Sequence, residues 1–273
     1  MSSMGLSSLT YNTLLRMFAE GKRFDGRKLI EQRDFTVEYN VSNKAEGSAR
    51  VRMGNTEVVV GVKLDVAAPY PDSLDKGNLM VSGDLLPLAS PRFESGPPRF
   101  PAIELPRLID RMVRESHIID LKKLVIVEGE KVWTVMIDIY PINDDGALID
   151  AASIGTIAAL LETYIPKLNE GGRVNHDAKP TEKLPLEKDL IPLTFTFYKL
   201  GDSLIIDPTR EEEEACDGKI VWGLSTSKGK DHVIHSCQKG LESSMTREDI
   251  EQMMQHLPKV YDDTLKKLKK FLK

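Results

Sequence analysis

The densest run of chemistry-bearing side chains lies at residues 205–218, IIDPTREEEEACDG, where the glutamates at 211–214 stand between Asp207 and Asp217. Carboxylates this close together can hold a divalent cation or move protons. Four consecutive acids splay around a helix axis and alternate along a strand, so only part of the run can converge on one ion.

Other stretches invite comparable readings. Residues 201–204 spell GDSL, the signature of one esterase family, and Ser203 would then need a base and an orienting carboxylate. None of the five histidines has an aspartate three residues before it. Gly201 and Asp202 also sit between FTFYKL and LIID, where a hairpin wants a glycine and an aspartate, so this segment reads as a turn. His232 and His235 look like a metal pair, but on a strand side chains three apart point to opposite faces, and the helical HExxH spacing is four. No GxxxxGK or GxGxxG occurs, which removes the usual phosphate-cradling loops. Neither a metal nor a cofactor is implied.

Arg107, Arg111 and Arg114 are spaced i, i+4, i+7 and share one helix face. Two readings stay open. The face is solvated and paired with Asp110 and Glu115, or it binds phosphate. Lys266, Lys267, Lys269 and Lys270 end the chain's last helical pattern, where cations complement the helix dipole. Binding of RNA by this tail is the lesser reading.

The elements that must position these groups follow from periodicity. Leu14, Leu15, Met17 and Phe18 share a stripe of a short helix that Gly21 ends. VEYNVS, SARVRMG and TEVVVGVKLDV read as strands. Seven of the fifteen prolines fall between Pro69 and Pro101, which predicts a long irregular excursion. IELPRLIDRMVRES repeats apolar residues near every 3.6 positions, a helix with Pro106 in its first turn or at a kink. LKKLVIVEG and KVWTVMIDIYPI read as a hairpin around Glu128 and Gly129. ALIDAASIGTIAALL is a helix apolar on most sides. GGRVNHDAKPTEKLP reads as a polar linker, and LTFTFYKLGDSLIID, GKIVWGLST and HVIHSCQKG supply four further strands. Residues 245–273 form one long helix or two joined at Pro258. Strands, helix, strands, helix, strands, helix is an α+β order with mixed sheets in two similar halves. Residues 1–273 read as one unit: an N-terminal helix over 1–20, halves at 24–141 and 142–257, and the end of the C-terminal helix at 258–273.

The bulk numbers narrow the function. The net charge of −5 excludes a polycation, so any nucleic-acid site must be a local basic patch. Two cysteines without a CxxC predict a reducing compartment. The N-terminus lacks the order of a signal peptide and no apolar run is long enough to span a bilayer, which predicts a cytoplasmic protein.

FDGRKLIEQRDF, GSARVRMGNTEVVVGV, IELPRLIDRMVRES and the aspartate–proline–acid run after a GDSLIID hairpin occur in that order. Together they resemble the RNase PH family of phosphate-dependent 3′ exoribonucleases, over residues 24–258. Within it, GNLMVSGDLLPLASPRFESGPP and DPTREEEEACD look like the silent subunit of the archaeal exosome ring, which alternates with an active RNase PH-like subunit, three of each.

The resemblance implies an RNase PH-like fold and locates what is missing. Phosphorolysis must hold inorganic phosphate against an RNA phosphodiester, which takes cations and helix N-terminal amides. Active members use a Gly-Ser/Thr-Arg turn at the central helix. Here that turn reads DDGALID, and Ala147, Leu148 and Ile149 supply neither hydroxyl nor guanidinium. Asp150 is expected to cap the helix and put a negative charge where phosphate should sit. The arginine pair that opens the preceding helix in active members is replaced by Phe100 and Pro101. Asp207 and Glu213 stand where the two acids of active members stand, as remnants without a catalytic role. The silent subunit contributes arginines that hold RNA, and Arg107 and Arg111 match that placement, Arg114 less closely. The expected partners are an RNase PH-like catalytic subunit, RNA-binding cap proteins and single-stranded RNA. Two alternatives remain: an active phosphorolytic nuclease with Asp207 as general acid, aided by Lys219 or Arg173, and a metal-dependent hydrolase built on the four glutamates.

Overall fold

The computed structural model describes residues 6–175, 178–180, 182–187, 189–227 and 231–271. Helix α1 (Ser8–Ala19) starts at the N-cap of Ser7, whose hydroxyl accepts from the amide of Thr10. Strands β1 (Phe35–Tyr39), β2 (Gly47–Met53) and β3 (Thr56–Ala67) form an antiparallel meander. Met53 pairs with Thr56, so the hairpin loop is Gly54 and Asn55.

The proline-rich excursion is not wholly irregular. It contains β4 (Asn78–Gly83), paired in parallel with β6 (Lys131–Asn143). Parallel pairing leaves no hairpin turn in the sequence, so this strand carries no local signal. Helix α2 (Phe100–Ser116) begins a turn before the expected start, with a proline in its first turn, and Pro106 lies inside it. A proline fits the first turn because its missing N–H would have no helical partner there. The segment before β6 is mostly a 3-10 turn (Leu121–Leu124), with only β5 (Val125–Val127) extended.

The first sheet runs β1-β2-β3-β6-β4, with β5 on β6. Helix α3 (Leu148–Leu161) crosses it. The expected linker after α3 carries two small ladders: β7 (Tyr164–Ile165) with β10 (Glu182–Lys183), and β8 (Lys167–Leu168) with β9 (Val174–Asn175). The second sheet follows from β11 (Leu193–Leu200), β12 (Ser203–Ile206), β13 (Gly218–Ser227) and β14 (Asp231–Gly240), in the order β12-β11-β13-β14. The acidic run folds as the short helix α4 (Arg210–Ala215). The chain ends in α5 (Arg247–Lys269), a single helix through Pro258.

These elements stack as sheet, helices, sheet, helix. Alternate residues of β3 (Val58, Val60, Val62, Leu64) are buried beneath α3. Gly155 of α3 admits this approach, since a Cβ there would come within 2.9 Å of Val60. Helix α3 is buried all round because it lies between the two sheets, which is why its sequence shows no polar face. On β11 every residue is buried. Thr194 and Thr196 turn to α3, and Phe195 meets Tyr261 of α5 edge to face. Leu14 and Phe18 of α1 pack on Tyr198 and Leu200 at the far end of the same strand. The α+β class expected from the sequence is the class observed, and no helix among the described residues is long and apolar enough to cross a membrane.

Candidate functional site

Strand β12 ends at Ile206, and Asp207 turns the chain with a left-handed backbone, φ 45°. Aspartate is among the few non-glycine residues that tolerate this region. Its carboxylate is fully buried. Arg33 donates to it through the backbone N at 2.6 Å, Nε at 3.0 Å and Nη2 at 2.6 Å, and Arg27 adds Nη1 at 2.9 Å. Burial works to lower the Arg33 pKa, but its bonds to Asp207 hold it above the usual arginine value. Both oxygens of Asp207 are thus committed to two guanidiniums, and Asp207 serves as a cross-link between the DGR turn and β12.

The next acids fan out as a helix requires. Thr209 and Glu212 form a capping box at the start of α4. Glu212 is buried against the buried guanidinium of Arg23, which also donates to the carbonyl oxygens of Ile206 at 3.0 Å and Asp207 at 2.8 Å. Glu211 is exposed. Glu214 lies 4.0 Å from Arg92. Glu213 points inward, and its Oε2 accepts from the amide of Ala147 at 2.9 Å. Burial pushes the Glu213 carboxyl up, opposed by Arg92 and by that amide. Among the described residues no group of three or more His, Cys, Asp or Glu could hold a metal ion.

The turn before α3 completes the site. Gly146 (φ 82°) packs so closely on the loop after Asp207 that a Cβ would meet the Pro208 oxygen at 2.4 Å. Ala147 takes a left-handed conformation, φ 54°, at the N-cap of α3. The four amides of this turn all donate within the chain. Asp144 N goes to Ala89 O at 2.9 Å and Asp145 N to Thr56 Oγ1 at 3.2 Å. Gly146 N goes to Asp144 Oδ1 at 3.2 Å, and Ala147 N to Glu213. A carboxylate of the protein itself therefore sits where a helix N-terminus would receive an anion. Arg92 flanks the turn, 2.7 Å from Asp144 and 3.8 Å from Glu213. Beside it opens a cleft of about 730 Å³ whose walls carry Asp25, Glu57, Asp144, Asp145 and Glu211 against Arg52 and Arg210.

The expected cap is corrected here. Asp150 lies in the first turn of α3 but not at its N-terminus, and it is buried toward the second sheet. It accepts from Thr196 N at 3.1 Å, Thr196 Oγ1 at 2.8 Å and Thr194 Oγ1 at 3.2 Å. Burial pushes its carboxyl up to about 7. The negative group at the helix start is Glu213, which arrives from α4 across the fold. Ala147, Leu148 and Ile149 are buried. Phe100, at the start of α2, is 66% exposed, and the adjacent Arg99 is paired with Glu94.

The three arginines of α2 lie on its exposed face, and Leu105, Leu108, Ile109, Met112 and Val113 bury the other. They differ from one another. Arg114 is held by Asp110 at 2.7 Å and by the Leu79 oxygen at 3.1 Å, whereas Arg107 and Arg111 form no hydrogen bond or ion pair with a described residue. Ion pairing is thus the finding for Arg114, and two unpaired cations remain. No described hydrogen bond or ion pair joins these arginines to the Asp207 and Glu213 network. The GDSL segment is the two-residue turn between β11 and β12, with Leu200 paired to Ser203. His232 meets Asp262 at 3.0 Å and His235 meets Ser225 at 2.6 Å, so the two histidines serve different partners. Lys219 is buried in a 2.7 Å pair with Glu104. Arg23, Arg27, Arg33 and Arg92 carry the site's positive charge. Arg27 and Arg33 lie in the FDGRKLIEQRDF segment, but nothing local in it says which acid they meet.

Residues 31–166 match the model of the 3′ exoribonuclease family, domain 1 (RNase PH), and residues 191–255 match domain 2. The exosome complex component Rrp42 of Methanothermobacter thermautotrophicus is 42% identical over 90% of this chain and 89% of its own. Its namesake in Thermococcus kodakarensis is 41% identical over the same shares. A chain of the Archaeoglobus fulgidus exosome, solved with RNA bound to the active site, superposes with a TM-score of 0.82 at 38% identity, covering 91% of this chain and 93% of that one. A chain of an archaeal exosome core superposes with a TM-score of 0.83 at 34% identity, covering 96% of each.

Proposed function

Because the chain belongs to the RNase PH family of 3′ exoribonucleases, we propose that it is the non-catalytic subunit of an archaeal-type exosome ring. It acts in the cytoplasm, alternating with an RNase PH-like catalytic subunit as three heterodimers and carrying RNA-binding cap proteins. It completes the partner's active site and helps hold single-stranded RNA during 3′→5′ phosphorolysis. The observation that carries the reading is the closed turn before α3: the Ala147 amide is taken by Glu213, while Asp207 is locked between Arg27 and Arg33. A phosphate entering there would have to displace a carboxylate already bonded to the amide, beside a cleft lined by five acids. Both oxygens of Asp207 are already occupied by those guanidiniums, so neither is free to meet a leaving group. Arg107 and Arg111 supply unpaired cations for RNA phosphates, contacts that position a strand without reading its sequence. Arg114, held by Asp110, adds to that face more weakly.

The test is phosphorolysis of a 3′-labelled RNA by the purified chain, alone and co-expressed with an RNase PH-like partner. Phosphate-dependent trimming is expected only from the pair, with a native mass that fits three heterodimers. Robust trimming by the lone chain would overturn the proposal and favour the alternative, an active phosphorolytic enzyme.

A further inference from the structure

Beyond α2 and the closed turn, one cationic surface has no role in the reading above. Between the DGR segment, the Gly54–Asn55 turn and the C-terminal half of α5 lies a groove of about 1140 Å³. Lys259 and Lys266 of α5 and its C-cap Lys270 line it at i, i+7 and i+11, which puts them on one stripe of the helix over about 16 Å. Lys28 stands on the opposite wall. None of these four lysines forms an ion pair with a described residue. The groove's acids are mostly committed: Asp34 to Lys267 at 2.6 Å, Asp25 to Arg27 at 2.7 Å and Asp145 to Arg33 at 3.4 Å. Glu31 and Asp263 are the two left facing the lysines. Arg27 also lines the groove, and its buried Nη2 has no hydrogen-bond partner among the described residues.

A helix dipole explains lysines in the last turn of α5, but not Lys259, which lies well before it, nor Lys28 on the other wall. The geometry points to a second polyanion site, in which the groove between the DGR segment and α5 holds the backbone of single-stranded RNA apart from the arginines of α2. A linear row of cations fits a chain of phosphates better than a single small anion. The walls present no exposed aromatic ring for stacking, so the contact would be to the backbone and indifferent to sequence. This inference rests on the RNA-handling role proposed above, and its test keeps the two separable.

The test measures binding of a fluorescent twelve-nucleotide oligoadenylate across a salt series, using the intact chain alone and co-purified with its RNase PH-like partner. Lys259→Glu/Lys266→Glu/Lys270→Glu should weaken binding about tenfold at 0.1 M salt. It should also make the slope of log K against log salt shallower by about 2, three contacts at about 0.7 each. The Lys→Gln triple, which removes the three charges without reversing them and leaves Lys267 and Lys269 at the helix end, should give the same slope change, with thermal unfolding confirming that both variants are folded. Arg107→Glu/Arg111→Glu is measured alongside. Unchanged affinity and slope in both lysine triples overturn the groove, whatever the arginine variant does. Loss in the lysine triples with none in the arginine variant supports the groove and counts against the α2 assignment. Displacement of the RNA by an oligoglutamate of equal charge, at equal affinity, would assign the groove to an acidic protein segment and overturn the RNA reading.

Discussion

Replacing Asp150 by asparagine should stabilise the protein in a pH-dependent way. The carboxyl is 2% exposed, accepts from Thr194 and Thr196, and has no cation among its described partners. Burial raises its folded-state pKa to about 7, against about 3.9 in an unfolded chain. For a carboxyl with a raised folded pKa the sign is fixed. Below pH 4 it is protonated in both states and has no effect on stability. Between pH 4 and 7 the unfolded chain releases a proton that the folded chain keeps, so stability falls as pH rises. Above pH 7 both states are ionised and the loss levels off, at about three pH units of 1.36 kcal/mol each, or about 4 kcal/mol. Asparagine keeps the shape. Its oxygen accepts from Thr196 N, its amide donates to a threonine hydroxyl oxygen, and it does not titrate. Urea unfolding followed by circular dichroism at pH 5, 6, 7 and 8 should show the variant gaining on the parent protein by about 2.5 kcal/mol across that range, with no further gain at higher pH. All other titrating groups are common to both proteins and cancel in the difference. Parallel pH profiles would refute the reasoning, because they would mean that Asp150 is ionised in the folded state and compensated by some group other than the two threonines.

Arg33→Ala leaves the buried Asp207 carboxylate with Arg27 as its one cation and strips several hydrogen bonds from the loop before α4. The expected cost is about 3–5 kcal/mol, read as a drop in the urea midpoint or in soluble yield. Arg107→Glu/Arg111→Glu removes two cations that make no bonds within the described chain, so its thermal stability should change by less than about 0.5 kcal/mol. The same variant should weaken RNA binding by the assembled complex, with a salt slope shallower by about 1.4, measured by fluorescence anisotropy. Arg114→Ala should do the reverse: a loss of about 1 kcal/mol in stability from breaking its bonds to Asp110 and Leu79, and a smaller effect on RNA than either of its neighbours.

Much of this molecule was legible along the chain, because the features concerned are local. The apolar stripe of α2, the all-round apolar α3, the meander of β1 to β3 and the two-residue turn at Gly201 depend on neighbours a few positions apart, and all occur in the structure. The residue types at Ala147, Leu148, Ile149, Phe100 and Pro101 were also readable, since a residue type needs no partner to be read. Pairings across the fold were not legible. Strand β4 has a parallel partner more than fifty residues away. Asp207 meets Arg33 and Arg27 across more than 170 residues, a cross-link between segments that no local pattern brings together. Asp150 and Glu213 exchange the roles that proximity in sequence suggests. Asp150 stands nearest the helix start but turns into the second sheet, and Glu213, 66 residues beyond Ala147, reaches the Ala147 amide. Residue types and their periodicity determined most of the elements and which side chains the turn before α3 carries. Which carboxylate closes it, and which arginines stay free, depends on distances between side chains, and those exist only once the two sheets have closed on α3.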